Sequence, residues 1–174
     1  MHPKICTLEK LKSLHLNQCE KLKQLPENIG QLASLKTLNL QECSNLQSLP
    51  ESLGEMDSLE QLDLSGCGAL RRMPYLIKWP NIFSLFLPIK CEVTRLPKKI
   101  DLGPLREIST PGLFSFHETS LPVALQKLSM WEAENIEFNK DWVNLESLVI
   151  GKFKPEKLST TMGRLLSLKE LTIC

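Results

Sequence analysis

Apolar residues recur along this chain at a fixed period of 24 residues over its first part. Segments 25–48 and 49–72 share 10 of 24 residues when they are aligned without gaps. The period is seen best at two sets of positions, occupied by Leu14, Leu38 and Leu62 and by Cys19, Cys43 and Cys67. One fixed period in the twenties indicates a repeat architecture, in which one packing unit is stacked many times.

Each period contains a short kernel in which two apolar residues flank one other residue. Eight such kernels cover the chain, and their middle residues are His15, Asn39, Asp63, Phe86, Ser109, Ser129, Val149 and Thr172. Alternation with a period of two predicts a strand whose apolar residues point inward and whose middle residue points outward. We therefore expect about eight strands of three or four residues, stacked in parallel into a concave sheet roughly 34 Å wide.

The rest of each period must return the chain along the convex side. Leu-Pro pairs mark that return at 25–26, 49–50, 96–97 and 121–122. Proline lacks the N–H group that a regular ladder or a helix interior needs, so we expect mostly turns with short helical pieces. The fifth kernel looks weakest, because Thr110 fills an inward position and Pro111-Gly112 follows at once. We expect an irregular loop over residues 111–122.

The whole chain, residues 1–174, reads as a single solenoid domain, with regular repeats over 1–76 and irregular ones over 77–174. Both ends fall inside a repeat, and neither offers the polar cap that a solenoid needs. We therefore interpret the chain as a domain truncated at both ends.

Charge and cysteine spacing narrow the possible functions. The net charge of +1 does not indicate a nucleic-acid-binding protein. No uncharged apolar run in the sequence is long enough to span a membrane. The six cysteines form no Cys-x-x-Cys pair, so we expect neither a metal site nor a cofactor. We interpret the cysteines as reduced thiols of an intracellular protein, with Cys19, Cys43 and Cys67 buried in equivalent inward positions.

The repeat itself resembles that of a known family. Residues 25–46 and 49–70 read Leu-Pro-x-x-Ile/Leu-Gly-x-Leu/Met-x-Ser-Leu-x-x-Leu-x-Leu-x-x-Cys-x-x-Leu. This string resembles the repeat of plant nucleotide-binding leucine-rich-repeat disease-resistance proteins, and segment 62–67 is especially typical of them. The resemblance implies an α/β leucine-rich-repeat solenoid, shaped as a horseshoe, and a cytoplasmic role in plant defence.

In that family the repeat domain recognises a pathogen effector or a guarded host protein, and it restrains the nucleotide-binding domain of the same receptor. The resemblance implies one of these three as the protein partner. Two alternatives remain open on the sequence: a substrate-recognition arm of a ubiquitin-ligase-type enzyme, and a leucine-rich-repeat signalling scaffold outside immunity.

The outward positions of the kernels are the candidate partner-binding surface. The candidate residues are His15, Asn39, Asp63, Phe86, Ser109, Ser129, Trp131 and Val149. His15, Asn39 and Asp63 form a row that suggests a catalytic triad, but it lacks a nucleophile, so we expect no enzymatic activity. Phe86 and Trp131 could anchor a protein partner, because buried aromatic residues dominate interface energetics. Alternatively, Trp131 could pack against the segment 111–122.

Overall fold

The fold is a parallel sheet that runs the length of a solenoid. The computed structural model describes residues 2–88, 99–101, 104–111, 122–131, 142–152 and 160–174. Ten strands lie in these ranges: β1 Ser13–His15, β2 Thr37–Asn39, β3 Gln61–Asp63, β4 Leu76–Lys78, β5 Ser84–Phe86, β6 Lys99–Asp101, β7 Glu107–Pro111, β8 Lys127–Trp131, β9 Ser147–Gly151 and β10 Glu170–Ile173. Eight of them form one sheet in the order β1-β2-β3-β5-β7-β8-β9-β10.

The strands of this sheet pair in parallel and in the register that the repeat predicts. His15 lies opposite Asn39 and Asn39 opposite Asp63, and the same row continues through Phe86 and Ser109 to the last strand. A slip of one residue would turn the leucines of a strand to the opposite face. The predicted solenoid with a parallel sheet of eight short strands is confirmed.

The core is the column of inward side chains between the sheet and the returning chain. Leu38, Leu62 and Leu85 are completely buried, and so are Leu148 and Ile150 near the other end of the sheet. Leu38 lies between Leu14 and Leu62 in the sheet register, and all three belong to one buried cluster. Burial of a leucine side chain stabilises a fold by about 1.5–3 kcal/mol, so the repeated pattern supplies the main driving force for stacking.

Strand length departs from the prediction of three or four residues. β7, β8 and β9 are five residues long, and β7 is built on the kernel that looked weakest in the sequence. Thr110 is completely buried there, and Pro111 still pairs with Trp131 of β8. Threonine is β-branched and suits an extended strand, so a polar residue at the inward position does not end the pairing. Most of the predicted irregular loop, residues 112–121, lies outside the described residues.

In the described ranges, the convex side consists mostly of turns with short helical pieces, as predicted. Four short 3-10 helices lie in the described ranges: η1 Pro3–Thr7, η2 Ile29–Gln31, η3 Glu51–Glu55 and η4 Thr160–Arg164. The sequence did not predict the second sheet, in which β4 pairs with β6. Trp79 follows β4, is completely buried, and donates its indole Nε1–H to the carbonyl of Leu53 over 2.8 Å.

The cysteine position joins successive coils through hydrogen bonds. The Cys43 thiol donates to the carbonyl of Leu16, and the Cys67 thiol donates to that of Leu40, both over 3.1 Å. Both side chains are completely buried, as expected. Burial raises the pKa of the Cys43 thiol, while the neighbouring Cys19 has two smaller, opposing effects on it. These thiols therefore satisfy carbonyl groups that point into the solenoid where the chain leaves each strand.

The expectation that Cys19 is buried like its equivalents is wrong, because its side chain is exposed. Its partner would be a carbonyl in a coil stacked on the other side of β1. Within the described part of the chain, β1 pairs with β2 alone.

Candidate partner-binding face

The outward side chains of the eight strands form one continuous surface, here called the outer face. It contains the middle residue of each kernel and the strand residues two positions before and after it, because side chains alternate along a strand. The structure brings all the predicted candidates onto this face. His15 is exposed, whereas Asn39, Asp63, Phe86, Ser109, Ser129, Trp131 and Val149 are half-buried.

At the amino-terminal end of the outer face, polar side chains shape the turns that follow the strands. The Asn39 Oδ1 accepts a hydrogen bond from the backbone N–H of Gln41 over 2.9 Å. The Asp63 Oδ1 accepts an equivalent bond from Ser65 over 2.8 Å. Short side chains that bind the backbone two residues ahead favour a turn. Asn39 and Asp63 therefore hold the chain where it leaves the sheet, besides presenting polar atoms to the outer face.

Hydrogen bonds also join neighbouring strands on this part of the face. Thr37 donates its hydroxyl to the side-chain oxygen of Gln61 over 3.2 Å. Lys36 forms an ion pair with Glu60 in the next coil. Because Lys36 and Glu60 neutralise each other locally, they give the surface no strong field of one sign.

The middle of the outer face carries an aromatic side chain among small polar ones. Phe86 lies between Asp63 and Ser109 in the sheet register and is half-buried. Ser84, two residues earlier on the same strand, is 3% exposed. The Ser84 hydroxyl lies 3.4 Å from a carboxylate oxygen of Glu107. The ring of Phe86 keeps part of its apolar surface available to a partner.

Trp131 is a half-buried aromatic side chain on the outer face. It lies opposite Gly151 of β9 in the sheet register. A Cβ atom added to Gly151 would lie 2.0 Å from Cε3 and 2.4 Å from Cζ3 of the Trp131 ring. The indole therefore lies over the glycine backbone in a space that no larger residue could leave open. Trp131 therefore contacts β9, while most of the other predicted contact segment, residues 112–121, lies outside the described residues.

Trp131 was singled out from the sequence, but the role of Gly151 was missed. The only signal would have been the alignment of the sixth and seventh kernels, which puts this glycine at the position of the tryptophan. We name Trp131 and Gly151 together the indole shelf. Val149 belongs to the same strand as Gly151 and has its side chain on the same face. The indole shelf is thus an apolar, half-buried surface beside small residues.

The described ranges contain no group of three or more histidine, cysteine, aspartate and glutamate side chains that could hold a metal ion. No helix among these residues is both long and apolar enough to cross a lipid bilayer. His117, near Glu118 in the sequence, lies outside the described residues.

The comparisons with known proteins agree with the repeat pattern. Residues 34–56 match the family model described as Leucine Rich Repeat. This segment is a leucine-rich repeat. It contains β2 and the buried Cys43, so the match falls on a coil whose geometry is described above. Leucine-rich-repeat domains are generally protein-binding modules, typically without catalytic activity. A search of the curated proteins found no match.

Two solved leucine-rich-repeat structures match this chain at low identity. One is a leucine-rich-repeat protein of Leptospira interrogans, with 17% identity and a TM-score of 0.34; the match covers 100% of this chain and 69% of that one. Another is the leucine-rich-repeat ectodomain of the plant membrane receptor kinase GASSHO1/SCHENGEN3 from Arabidopsis thaliana, in complex with CASPARIAN STRIP INTEGRITY FACTOR 2. It has 20% identity and a TM-score of 0.43, and the match covers 99% of this chain but 25% of the ectodomain.

Proposed function

We propose that this leucine-rich-repeat domain is the recognition and autoinhibitory region of an intracellular plant immune receptor. The proposal is supported by the repeat string at 25–46 and 49–70, which resembles that of plant disease-resistance proteins. Its partner is then a pathogen effector, a guarded host protein or the nucleotide-binding domain of the same receptor. The compartment that fits this role, and the reduced thiols, is the cytoplasm.

The binding surface in this proposal is the outer face, and the observation that carries it is the indole shelf. A sheet surface made of small polar residues offers a partner few apolar contacts. Trp131 lies over Gly151 and is half-buried, so a partner can cover the part of its ring that is still exposed. In protein–protein interfaces, much of the binding free energy comes from aromatic side chains whose conformational freedom is restricted. We place the energetic centre of binding at Trp131, with Phe86 as a second anchor.

The test is binding of a partner selected from a display library of plant proteins and pathogen-secreted proteins. Gly151→Ala keeps the tryptophan but displaces its ring, because the new Cβ would occupy the ring position. We expect this variant and Trp131→Ala each to weaken binding at least tenfold, about 1.4 kcal/mol or more.

Gly163→Ala is the matched control, since a Cβ at that position would meet no atom within 4 Å. It should bind like the unmodified chain. If the selected partners bind Gly151→Ala and Trp131→Ala as tightly as the unmodified chain, the shelf is not the binding surface.

The assignment to an immune receptor needs a separate test, because many kinds of protein carry such a module. Sequencing the gene on both sides of this segment supplies it. A Gly-x-x-x-x-Gly-Lys-Ser/Thr phosphate-binding loop encoded upstream would support the receptor. A catalytic cysteine domain encoded downstream would contradict it and favour the ubiquitin-ligase arm.

A further inference from the structure

The small net charge of the chain hides two neighbouring segments of opposite charge. Residues 24–70 contain one lysine, no arginine and seven aspartates and glutamates, a net charge of −6. Residues 71–99 contain seven lysines and arginines and one glutamate, a net charge of +6. A surface on which charge is segregated in this way attracts a surface with the opposite arrangement.

The two segments meet on the convex side of the solenoid, in neighbouring coils. Ser48 forms a backbone bridge with Arg72, and the backbone N–H of Tyr75 donates to Oε2 of Glu51 over 2.8 Å. Glu51 and Glu55 are the first and last residues of η3, and both are exposed. In the next coil Arg72 is exposed, and Tyr75 is 74% exposed. An acidic coil therefore lies directly beside a basic one.

The charges on this part of the convex side are open to a partner. Lys78, two residues after the first strand residue of β4, is exposed like Arg72 and Glu55. Within the described part of the chain, neither Glu55 nor Arg72 nor Lys78 forms an ion pair. The convex patch is the name used here for the set Glu51, Glu55, Arg72, Tyr75 and Lys78.

We propose that the convex patch binds the convex patch of a second copy of this chain, in a dimer with a two-fold axis. The inference is independent of the proposed function. An axis that passes between the coil of Glu51 and the coil of Tyr75 exchanges these two coils. It brings Glu55 opposite the second copy's Arg72, and Glu51 opposite the second copy's Tyr75, whose hydroxyl can donate to the carboxylate. Each contact occurs twice, since both copies use the same surface.

The arrangement of charge favours a second copy over a partner of uniform charge. An anionic surface, such as an acidic protein segment or a membrane, would attract Arg72 and Lys78 but repel Glu51 and Glu55 beside them. A cationic surface would have the reverse effect. A surface with both signs in the opposite order matches both halves. The convex patch, rotated about the two-fold axis, is such a surface.

The proposed dimer should be weakened by salt, because its contacts are charged and lie at the surface. In sedimentation velocity at low ionic strength, the average mass should rise with concentration from the monomer mass of 19.8 kDa towards twice that value and no further. At an ionic strength of about 1 M, where the Debye length is only about 3 Å, the mass should return to that of the monomer.

Charge-reversal variants test the pairing of Glu55 with Arg72. Glu55→Arg places two arginines at each contact, and Arg72→Glu places two glutamates there, so each variant alone should remain monomeric. In an equimolar mixture of the two variants, both contacts of a mixed dimer again join an arginine to a glutamate. The mixture should therefore form a 1:1 dimer.

Glu9→Arg and Lys12→Glu are matched controls, because they make the same changes of charge at exposed residues in the turn before β1, away from the convex patch. Each should dimerise like the unmodified chain. A chain that stays monomeric at millimolar concentration and low ionic strength would overturn the proposal. So would a mixture of Glu55→Arg and Arg72→Glu that stays monomeric while the controls dimerise, or an average mass that exceeds two copies or does not fall when salt is added.

Discussion

The coils up to residue 88 and the coils from residue 104 onward differ in the length of their strands. In the first group the strands are three residues long. Side chains bridge the coils in both groups: Gln18 donates a hydrogen bond to Glu42 in the first, and Asn144 donates one to the carbonyl of Val123 in the second. In the second group β7, β8 and β9 are five residues long, so backbone pairing extends further along each junction.

The comparison shows why the outer face differs between the two groups. Longer strands carry one more outward residue into the sheet, and this is the position of Trp131 and Gly151. In the regular coils the chain turns away before that position, and Asn39 and Asp63 hold the turn instead. The longer strands thus provide an outward position at which the Trp131 ring lies over the backbone of Gly151.

The largest effect should be common to both groups, because both bury inward leucines equally well. Leu38→Ala and Leu148→Ala remove completely buried side chains and should each lower the free energy of unfolding by about 2–5 kcal/mol. Denaturant unfolding measures this. Val149→Ala, on the outer face, should cost less than about 1 kcal/mol. A cost for Leu148→Ala close to that of Val149→Ala would show that the later coils are loosely packed.

Thiol reactivity should separate the cysteines that look equivalent in the sequence. In dilute native protein Cys19 and Cys174 are exposed, and they should react with a thiol reagent more than about tenfold faster than Cys43 and Cys67. Burial raises the pKa of Cys43, so less of it is present as the reactive thiolate near neutral pH. Raising the pH should therefore not make Cys43 as reactive as Cys19 until the protein unfolds. Mass spectrometry of time points resolves the sites.

A smaller effect concerns the stabilisation by the cysteine hydrogen bonds of the regular coils. Cys67→Ala removes a thiol that donates to the carbonyl of Leu40 in a completely buried place, and it should cost about 1 kcal/mol. Cys19→Ala, at the exposed equivalent, should change stability by less than about 0.5 kcal/mol. Thermal unfolding of the two variants side by side compares them. Equal costs would mean that the buried bond contributes no stability.

The smallest effect should come from the ion pair between coils. Lys36 and Glu60 have side chains that are 51% and 32% exposed. Exposed pairs contribute little, so Lys36→Met should cost no more than about 0.5 kcal/mol, and less at high salt. Unfolding experiments at low and at high ionic strength measure the free-energy cost of Lys36→Met under the two conditions. A larger cost that persists in salt would indicate that side-chain bridges hold the regular coils together more than leucine packing does.

Sequence alone determined the coil and its register. Apolar residues alternate with a period of two inside each period of 24. This pattern is compatible with one arrangement, in which leucines point inward and strands stack in parallel. The row from His15 to Val149 followed from that register. Local pattern carries this information because every coil repeats the same contacts with its neighbours.

Only the tertiary structure decided whether the residues at equivalent positions of the repeat are buried or exposed. Cys19 and Cys43 occupy the same place in the repeat, yet one is exposed and the other buried, because burial depends on the coil stacked beside it. Trp131 lies over the backbone of β9 because the residue across the register is glycine, and that pair is distant in sequence. The repeat pattern specifies which positions face each other, but it does not specify how the side chains at those positions pack.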